Sequence, residues 1–203
     1  MPYNQPATAN YFGFMPVMVG GAQPRLTNYL VSSSCAAIYP GDAVGLSTVG
    51  IFVLPYLQAS APFVGIAASY VAANDGTTAA DIRIPSTQTC LIWDDPGTFF
   101  VGCDTTSGVI GATRALGMVV DVLSTGCFGS TGNNTSLKRS VQALSGVTAS
   151  SGTSLLPFKT MGLHPMESAL SATASGTAAA ATNVRKWILA PHHHAYALKT
   201  TST

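Results

Sequence analysis

The chain has 203 residues, of which 8% are charged, and its formal net charge is +1 at neutral pH. A typical soluble domain carries about 25% charged residues, and a monomer relies on surface charge to stay in solution. This composition therefore indicates that much of the surface contacts other protein. The nine Lys and Arg residues are scattered, which argues against the clustered basic footprint of a nucleic-acid partner. No apolar run is long enough for a membrane span, and no basic n-region marks a signal peptide.

Residues 1–24 are predicted to form an extended N-terminal arm. Four prolines and the pair Gly20–Gly21 prevent a regular helix there. The arm also carries large apolar side chains, for which a flexible tail has little use. Two alternatives are open: the arm buries them against a partner, or it folds back on its own domain. The candidate partner-contact residues of the arm are Tyr3, Tyr11, Phe12, Phe14 and Met15.

Residues 25–203 are predicted to form one β domain with an Ala/Ser-rich flap at Ser168–Thr182. Short β-branched and aromatic runs alternate with turn residues, and no helical period is sustained. This pattern predicts a mainly β fold, a single β-barrel or β-sandwich of short strands with long polar loops. The predicted strands are Leu26–Val31, Ala43–Leu46, Ile51–Leu57, Phe63–Val71, Ile82–Ile84, Cys90–Trp93, Thr98–Val101, Leu116–Leu123, Leu137–Leu144, Leu155–Leu163 and Val184–Ala190.

The sequence Asp94-Asp95-Pro96-Gly97 separates two of these strands. Asp before Pro favours a turn, and Gly supplies the backbone freedom that a turn needs. Adjacent strand residues point to opposite faces, so the two carboxylates do not converge on one substrate atom. We therefore predict a tight connection here and not a catalytic pair. The same alternation sends one of Phe99 and Phe100 into the core, and we assign Phe100 to partner contact.

Few other residues are candidates for chemistry. His192 and His194 would share one face of a strand, which permits two metal ligands, but no acidic residue nearby supplies a third. The four cysteines form no C-x-x-C pair and are expected to be reduced, mostly buried thiols. The chain has one glutamate, and no nucleophile elbow, H-E-x-x-H or phosphate loop occurs. We therefore expect no enzymatic activity, no metal, no cofactor and no small-molecule substrate.

The order of these landmarks resembles that of a family of tailed-phage head proteins, the capsid cement or decoration proteins. The matching segments are short, rich in turn residues and spread over most of the chain. They are Ile38–Asp42, Val64–Ala67, Asp94–Phe99, Gly111–Leu116, Gly162–Pro165 and Val184–His194. The aromatic arm before residue 25 and the tract from Ser168 depart from the family pattern.

The resemblance implies a structural virion protein, made in the host cytoplasm, that binds the outside of the phage head. It implies the major capsid protein as the partner, a homotrimer as the assembly, and stabilisation of the joints between capsomers. The family has no catalytic residues to carry over. Two other interpretations are open: an extracellular carbohydrate-binding β-sandwich, suggested by aromatic-rich strands and polar loops, and another virion component such as a tail or head fibre.

Overall fold

The computed structural model describes residues 13–17, 24–31, 36–47, 53–56, 62–72, 88–104, 110, 116–123, 139–140, 142–150, 155–164 and 186–195. Within these ranges the chain forms eleven β-strands and no helix. The strands are β1 Met15–Val17, β2 Leu26–Leu30, β3 Ala43–Leu46, β4 Val53–Pro55, β5 Phe63–Ala67, β6 Thr89–Trp93, β7 Phe99–Cys103, β8 Val119–Leu123, β9 Ala143–Ser150, β10 Phe158–Leu163 and β11 Lys186–Pro191.

The strands form two antiparallel sheets that pack on a shared core. The six-stranded sheet has the order β1-β7-β11-β10-β8-β9, and the five-stranded sheet has the order β2-β6-β5-β3-β4. The consecutive strands β6 and β7 belong to different sheets, so the connection between them carries the chain from one sheet to the other. The prediction of a mainly β fold is confirmed. Because the two sheets stay separate among the described strands, the architecture is a sandwich.

Aromatic side chains fill the space between the sheets. The ring centroid of Phe158 in β10 lies 4.9 Å from that of Phe14, 4.8 Å from that of Phe63 and 6.2 Å from that of Phe100. Phe63 belongs to the five-stranded sheet, whereas Phe100 and Phe158 belong to the six-stranded sheet. Burying one such side chain contributes about 1.5–3 kcal/mol relative to leaving it exposed. This cluster therefore fixes how the two sheets face each other.

The five-stranded sheet curls around a second apolar cluster. An isolated parallel bridge joins Val31, directly after β2, to Val53 in β4, so the two outer strands of this sheet approach each other at that point. All five residues of β5 are buried, because the strand has a core on each face. The side chains of the second cluster are small or branched: Val31, Ile38, Val44, Val53, Val64, Ala67, Val71, Cys90 and Ile92.

The turn Ile38–Asp42 joins three parts of the chain that are distant in sequence. The Phe14 N–H donates to the Gly41 carbonyl oxygen at 2.9 Å, and the Ser140 N–H donates to the Pro40 carbonyl oxygen at 3.1 Å. The turn itself leads directly into β3. Its buried backbone groups are thus satisfied by the N-terminal segment and by the residues before β9, which is what burial requires.

The N-terminal residues 13–17 belong to the domain. β1 pairs with β7, with Met15 opposite Val101 and Val17 opposite Phe99, and Phe14 is fully buried. Of the two alternatives that the sequence left open, these residues take the second and fold back on their own domain. Residues 13–17 are therefore part of the β domain and not of an extended arm. Residues 1–12 and 18–23 lie outside the described residues.

β9 departs most from the predicted strands. The sequence predicted a strand over Leu137–Leu144 and a polar loop after it, whereas β9 runs from Ala143 to Ser150. Pairing with β8 supplies backbone hydrogen bonds to this Ser-, Thr- and Gly-containing stretch, and this pairing outweighs the strand propensity of its side chains. The other strands after β1 overlap with predicted ones. The predicted strand Ile82–Ile84 and the flap Ser168–Thr182 lie outside the described residues.

Candidate protein-interaction surface

One side of the six-stranded sheet faces away from the core and carries apolar side chains. Directly paired residues of antiparallel strands point to the same face, and the register places Met15, Val101, Ile188 and Gly162 in one row across β1, β7, β11 and β10. Phe100, the neighbour of Val101, points into the core, so this row points outward. We call the surface around this row, on β1, β7, β11 and β10, the outer face.

The β10 end of the outer face is the most exposed. β10 contains a bulge, where Gly162 has a φ of +150°, a conformation that residues with a side chain rarely adopt. A Cβ placed on Gly162 would lie 3.8 Å from the Leu116 side chain, so Leu116 lies over this position. Leu116 is 73% exposed and Met161 is 45% exposed, while Met15 at the β1 end is 51% exposed. Three large apolar side chains thus meet solvent on this face.

Two lysines lie near opposite ends of the outer face. Lys159 is paired with Ala190, and Lys186 is paired with Cys103. The four residue steps from 186 to 190 on β11 separate these two pairs by about 14 Å along the strand. The four strands β1, β7, β10 and β11 contain no aspartate or glutamate. Each of the two lysines therefore lies beyond one side of the apolar row on this face.

An antiparallel sheet with one solvated face normally alternates apolar residues inward with polar residues outward. β7 does not follow this rule, because its outward residues Phe99, Val101 and Cys103 are as apolar as the inward Phe100. The four strands span about 14 Å in each direction, which gives an area on the order of 200 Å². A stable complex buries about 800 Å² on each partner. The outer face alone therefore suits a contact that is shared with other surfaces or repeated in many copies.

The structure separates the predicted partner-contact residues into three groups. Met15 lies on the outer face and is exposed. Phe14 and Phe100 are fully buried in the core between the sheets, so their assignment to partner contact is corrected. Alternation along a strand predicts which residues share a face, but not which face is covered, and Phe99 is the one of the phenylalanine pair that points outward. Tyr3, Tyr11 and Phe12 lie outside the described residues.

A second group of exposed apolar residues lies on the five-stranded sheet. Leu26 and Leu30 of β2 and Leu91 of β6 are exposed, and the register of β2 and β6 places them on one face. Neither β2 nor β6 contains a charged residue. We call this group the leucine surface. It differs from the outer face because it has no lysine beside it on these strands.

Asp94 serves the fold. Its carboxylate is buried, with 1% of the side chain exposed, and it accepts hydrogen bonds from Arg25 Nε at 2.8 Å and from the Tyr29 hydroxyl at 2.6 Å. Burial raises the pKa of Asp94, but the hydrogen bonds from Arg25, Tyr29 and Thr27 outweigh this and hold the pKa below its ordinary value. Asp95 instead accepts from the Gly97 N–H at 2.9 Å inside the turn. The predicted turn is confirmed, and the two carboxylates have separate structural partners.

Two more buried carboxylates tie the core together. Asp42 accepts from the Tyr39 N–H at 2.8 Å, and burial raises the pKa of Asp42 to about 6 against the opposing hydrogen bonds from Ser140 and Tyr39. Asp104 accepts from the Trp187 indole N–H at 3.2 Å. Both carboxylates are buried, and neither lies on the outer face or on the leucine surface.

Three of the four histidines, His192–His194, lie directly after β11, and His164 lies directly after β10. β11 ends at Pro191, so the strand face that His192 and His194 were predicted to share does not exist. His192 is exposed, whereas His193 and His194 are buried, and burial lowers the pKa of both. In the described part of the chain, no group of three His, Cys, Asp or Glu side chains is placed to hold a metal ion. Cys90 and Cys103 are buried and form no disulfide.

Sequence reasoning missed most of the outer face. Val101, Ile188, Met161 and Leu116 were assigned only to strands, without a role. A usable signal was present, because apolar residues occupy both the odd and the even positions of β7 and β11, as in a strand that is covered on both sides. That signal does not distinguish a face covered by the same chain from a face that is open to a partner.

The fold and the surface define a two-sheet β protein with an apolar outer face. None of the described residues forms a helix long and apolar enough to cross a membrane. Comparisons with protein-family models, curated protein sequences and solved structures found no match for this chain.

Proposed function

We propose that this chain is a capsid cement protein of a tailed phage, bound to the outside of the head. It lies across joints between capsomers of the major capsid protein and stabilises the shell there. The observation that carries the proposal is the apolar outer face on a chain with only 8% charged residues. Such a surface is unfavourable in solution and becomes favourable when another protein covers it.

The order of the sequence motifs supports the same proposal. Two of the segments that resemble the cement proteins have structural roles in this fold: the Ile38–Asp42 turn connects the N-terminal segment to β3, and the Asp94–Phe99 segment links the two sheets. A β-sandwich also suits a protein that lies between neighbours and performs no chemistry. The proposal requires no cofactor, metal or small-molecule substrate.

The small size of the outer face fits a protein that acts in many copies. A single face on the order of 200 Å² gives weak binding by itself. Subunits joined as a homotrimer bind with a high effective concentration, so several weak contacts combine into a strong attachment. A closed cyclic trimer also lets three subunits contact one local symmetry axis of the shell.

A binding experiment with viral shells tests the proposal. Purified full-length chain is mixed with expanded, undecorated heads of the virus that encodes it, and bound protein is measured by sedimentation. We expect saturable binding with a fixed copy number, and cryo-EM density across the joints between capsomers. Absence of binding at micromolar concentration would contradict the proposal. Density on the tail or on a head fibre would assign the chain to another virion part, and specific hits on a glycan array would support a carbohydrate-binding protein.

A further inference from the structure

We infer that residues 192–195 form an acid-sensitive latch, which holds the end of β11 against β5 while its two buried histidines are neutral. Protonation of these histidines in mild acid separates the latch from β5. The inference gives a role to the three consecutive histidines after β11. It is independent of the proposed function, because it concerns the fold of the subunit and no partner.

The latch links the two sheets through the backbone. β11 belongs to the six-stranded sheet and β5 to the five-stranded sheet. The Phe63 N–H donates to the His193 carbonyl oxygen at 3.0 Å, and the Ala195 N–H donates to the Phe63 carbonyl oxygen at 2.7 Å. These bonds form an isolated parallel bridge between Phe63 and His194. A link of this size is outweighed by an unfavourable change at the buried side chains beside it.

Two buried imidazoles lie at this link. His194 is 1% exposed, and its ring centroid lies 5.8 Å from that of Phe63 in an edge-on contact. His193 is 9% exposed, and among the described residues none forms a hydrogen bond with its buried Nδ1. A neutral imidazole can leave that nitrogen as an unprotonated lone pair. An imidazolium would instead place an N–H donor and a positive charge there without an acceptor, which is unfavourable in a buried site.

The charged groups around His194 oppose one another. The carboxylates of Asp94 and Asp95 favour a positive charge on the ring, and the Arg25 guanidinium disfavours it. Asp94 is already bound to Arg25 Nε at 2.8 Å, so its charge is largely compensated. The Val64 backbone also favours the protonated ring through a hydrogen bond. Burial outweighs these effects and lowers the pKa of His194.

His193 has a second imidazole beside it. Burial is again the largest effect and lowers the pKa of His193, the neighbouring His192 lowers it further, and a hydrogen bond to the Leu155 backbone opposes both. A histidine in the separated latch has its ordinary pKa of about 6.5. As the pH falls, protons therefore bind the separated form first. The link between the latch and β5 is complete above about pH 6.5 and weakens below it.

Three carboxylates with a shifted pKa do not give this response. Burial raises the pKa of Asp42 to about 6 and also raises the pKa of Asp121, so acid strengthens what they contribute to the fold. Asp94, whose hydrogen bonds hold its pKa below the ordinary value despite burial, remains charged throughout this range. A loss of the link as the pH falls from about 7.5 to about 5.5 therefore indicates the histidines.

Amide hydrogen exchange in the full-length protein, resolved by NMR, tests the latch. The Phe63 and Ala195 amides donate the two hydrogen bonds of the link, and the Ala68 amide, which donates to the Leu91 carbonyl oxygen at 2.7 Å, is the reference. Protection is compared between the two pH values and corrected for the intrinsic effect of pH on exchange. We expect protection at Phe63 and Ala195 to fall by at least about threefold relative to Ala68, with an upper limit of about tenfold for each histidine.

Variants identify the groups that titrate. His194→Gln removes one titrating ring, and His164→Gln is the matched control, because the His164 N–H donates to the Lys186 carbonyl oxygen at the other end of β11. We expect His194→Gln to lose about half of the acid response on a logarithmic scale, and His164→Gln to keep all of it. An NMR titration of the wild-type rings needs no variant, and we expect both His193 and His194 to titrate below about 6.5.

Three results would overturn the inference. Equal changes in protection at Phe63, Ala195 and Ala68 would show that acid has no special effect on the latch. A full acid response in His194→Gln would assign that response to another group. A pKa of about 6.5 or above for both latch rings in the folded protein would remove its cause, and this result does not depend on whether the variant folds.

Discussion

Replacing Phe14 with alanine tests whether the N-terminal segment is part of the fold. The Phe14 ring is fully buried, packs 4.9 Å from the Phe158 ring, and lies directly against Gly102 of β7. Truncation of a buried phenylalanine leaves a cavity and lowers the free energy of unfolding by about 3–5 kcal/mol. In a domain of about this size each kcal/mol shifts the melting temperature by about 2–4 °C, so we expect a fall of about 6–20 °C.

The adjacent residue supplies the control. Met15 points outward and is half-exposed, so Met15→Ala is expected to change the free energy of unfolding by only about 0.5 kcal/mol. Both variants are measured by urea unfolding, followed by tryptophan fluorescence. If Phe14→Ala unfolds within 1 kcal/mol of wild type, the segment is an appendage and the reasoning fails. By the same argument, deletion of residues 1–20 is expected to destabilise the domain as well as weaken assembly.

Three further predictions concern the interior. Burial raises the pKa of Asp42 to about 6. Its contribution to the free energy of unfolding is therefore complete below about pH 4 and is lost as the pH rises through 6, by up to about 3 kcal/mol. Asp42→Asn should remove this decline between about pH 4 and pH 7.5 in chemical unfolding, and an unchanged decline in the variant would assign it to other groups. Asp94→Asn should lower the free energy of unfolding by about 1.5–3 kcal/mol and Tyr29→Phe by less, and a double-mutant cycle in which the two changes add fully would contradict a shared hydrogen bond. A Cβ on Gly65 would overlap a carbonyl oxygen of β6, whereas one on Gly97 meets only the Asp95 side chain at 3.4 Å. Gly65→Ala should therefore destabilise the protein by several kcal/mol, and Gly97→Ala by far less. Similar melting temperatures for the two variants would count against a close approach of β5 and β6 at Gly65.

The sequence was sufficient to predict the fold class and most of the strands. Alternation, turn residues and the absence of a helical period act locally, and strands such as β2, β3 and β6 follow them closely. β9 does not follow them. The composition of Ser145–Ser150 alone predicts a loop, and this stretch becomes a strand because it pairs with β8. β1 was missed for a related reason, since three residues with a central Pro16 become a strand only when β7 is beside them.

The candidate surface was less predictable than the fold. The sequence indicated an interface through its low charge, but it placed Phe14 and Phe100 there, and both are in the core. A shift of β7 by one residue would exchange the inward Phe100 and the outward Phe99. The register of β7 is determined by its pairing with β1 and β11, which the sequence does not show. Leu116 was assigned only to a strand, because its place above Gly162 depends on β10, which is distant in sequence and contains a bulge at that point.

The order of strands in the six-stranded sheet has a consequence for synthesis in the cell. β11, the last of the described strands, lies in the interior of that sheet between β7 and β10, and β1, the first of them, pairs with β7. The five-stranded sheet uses only residues 26–93 and can assemble while the ribosome is still translating the remainder. The six-stranded sheet, and with it the outer face, is completed only after residue 191 has left the exit tunnel. A nascent chain therefore completes the five-stranded sheet well before the six-stranded one, which needs β11 beside β7 and β10.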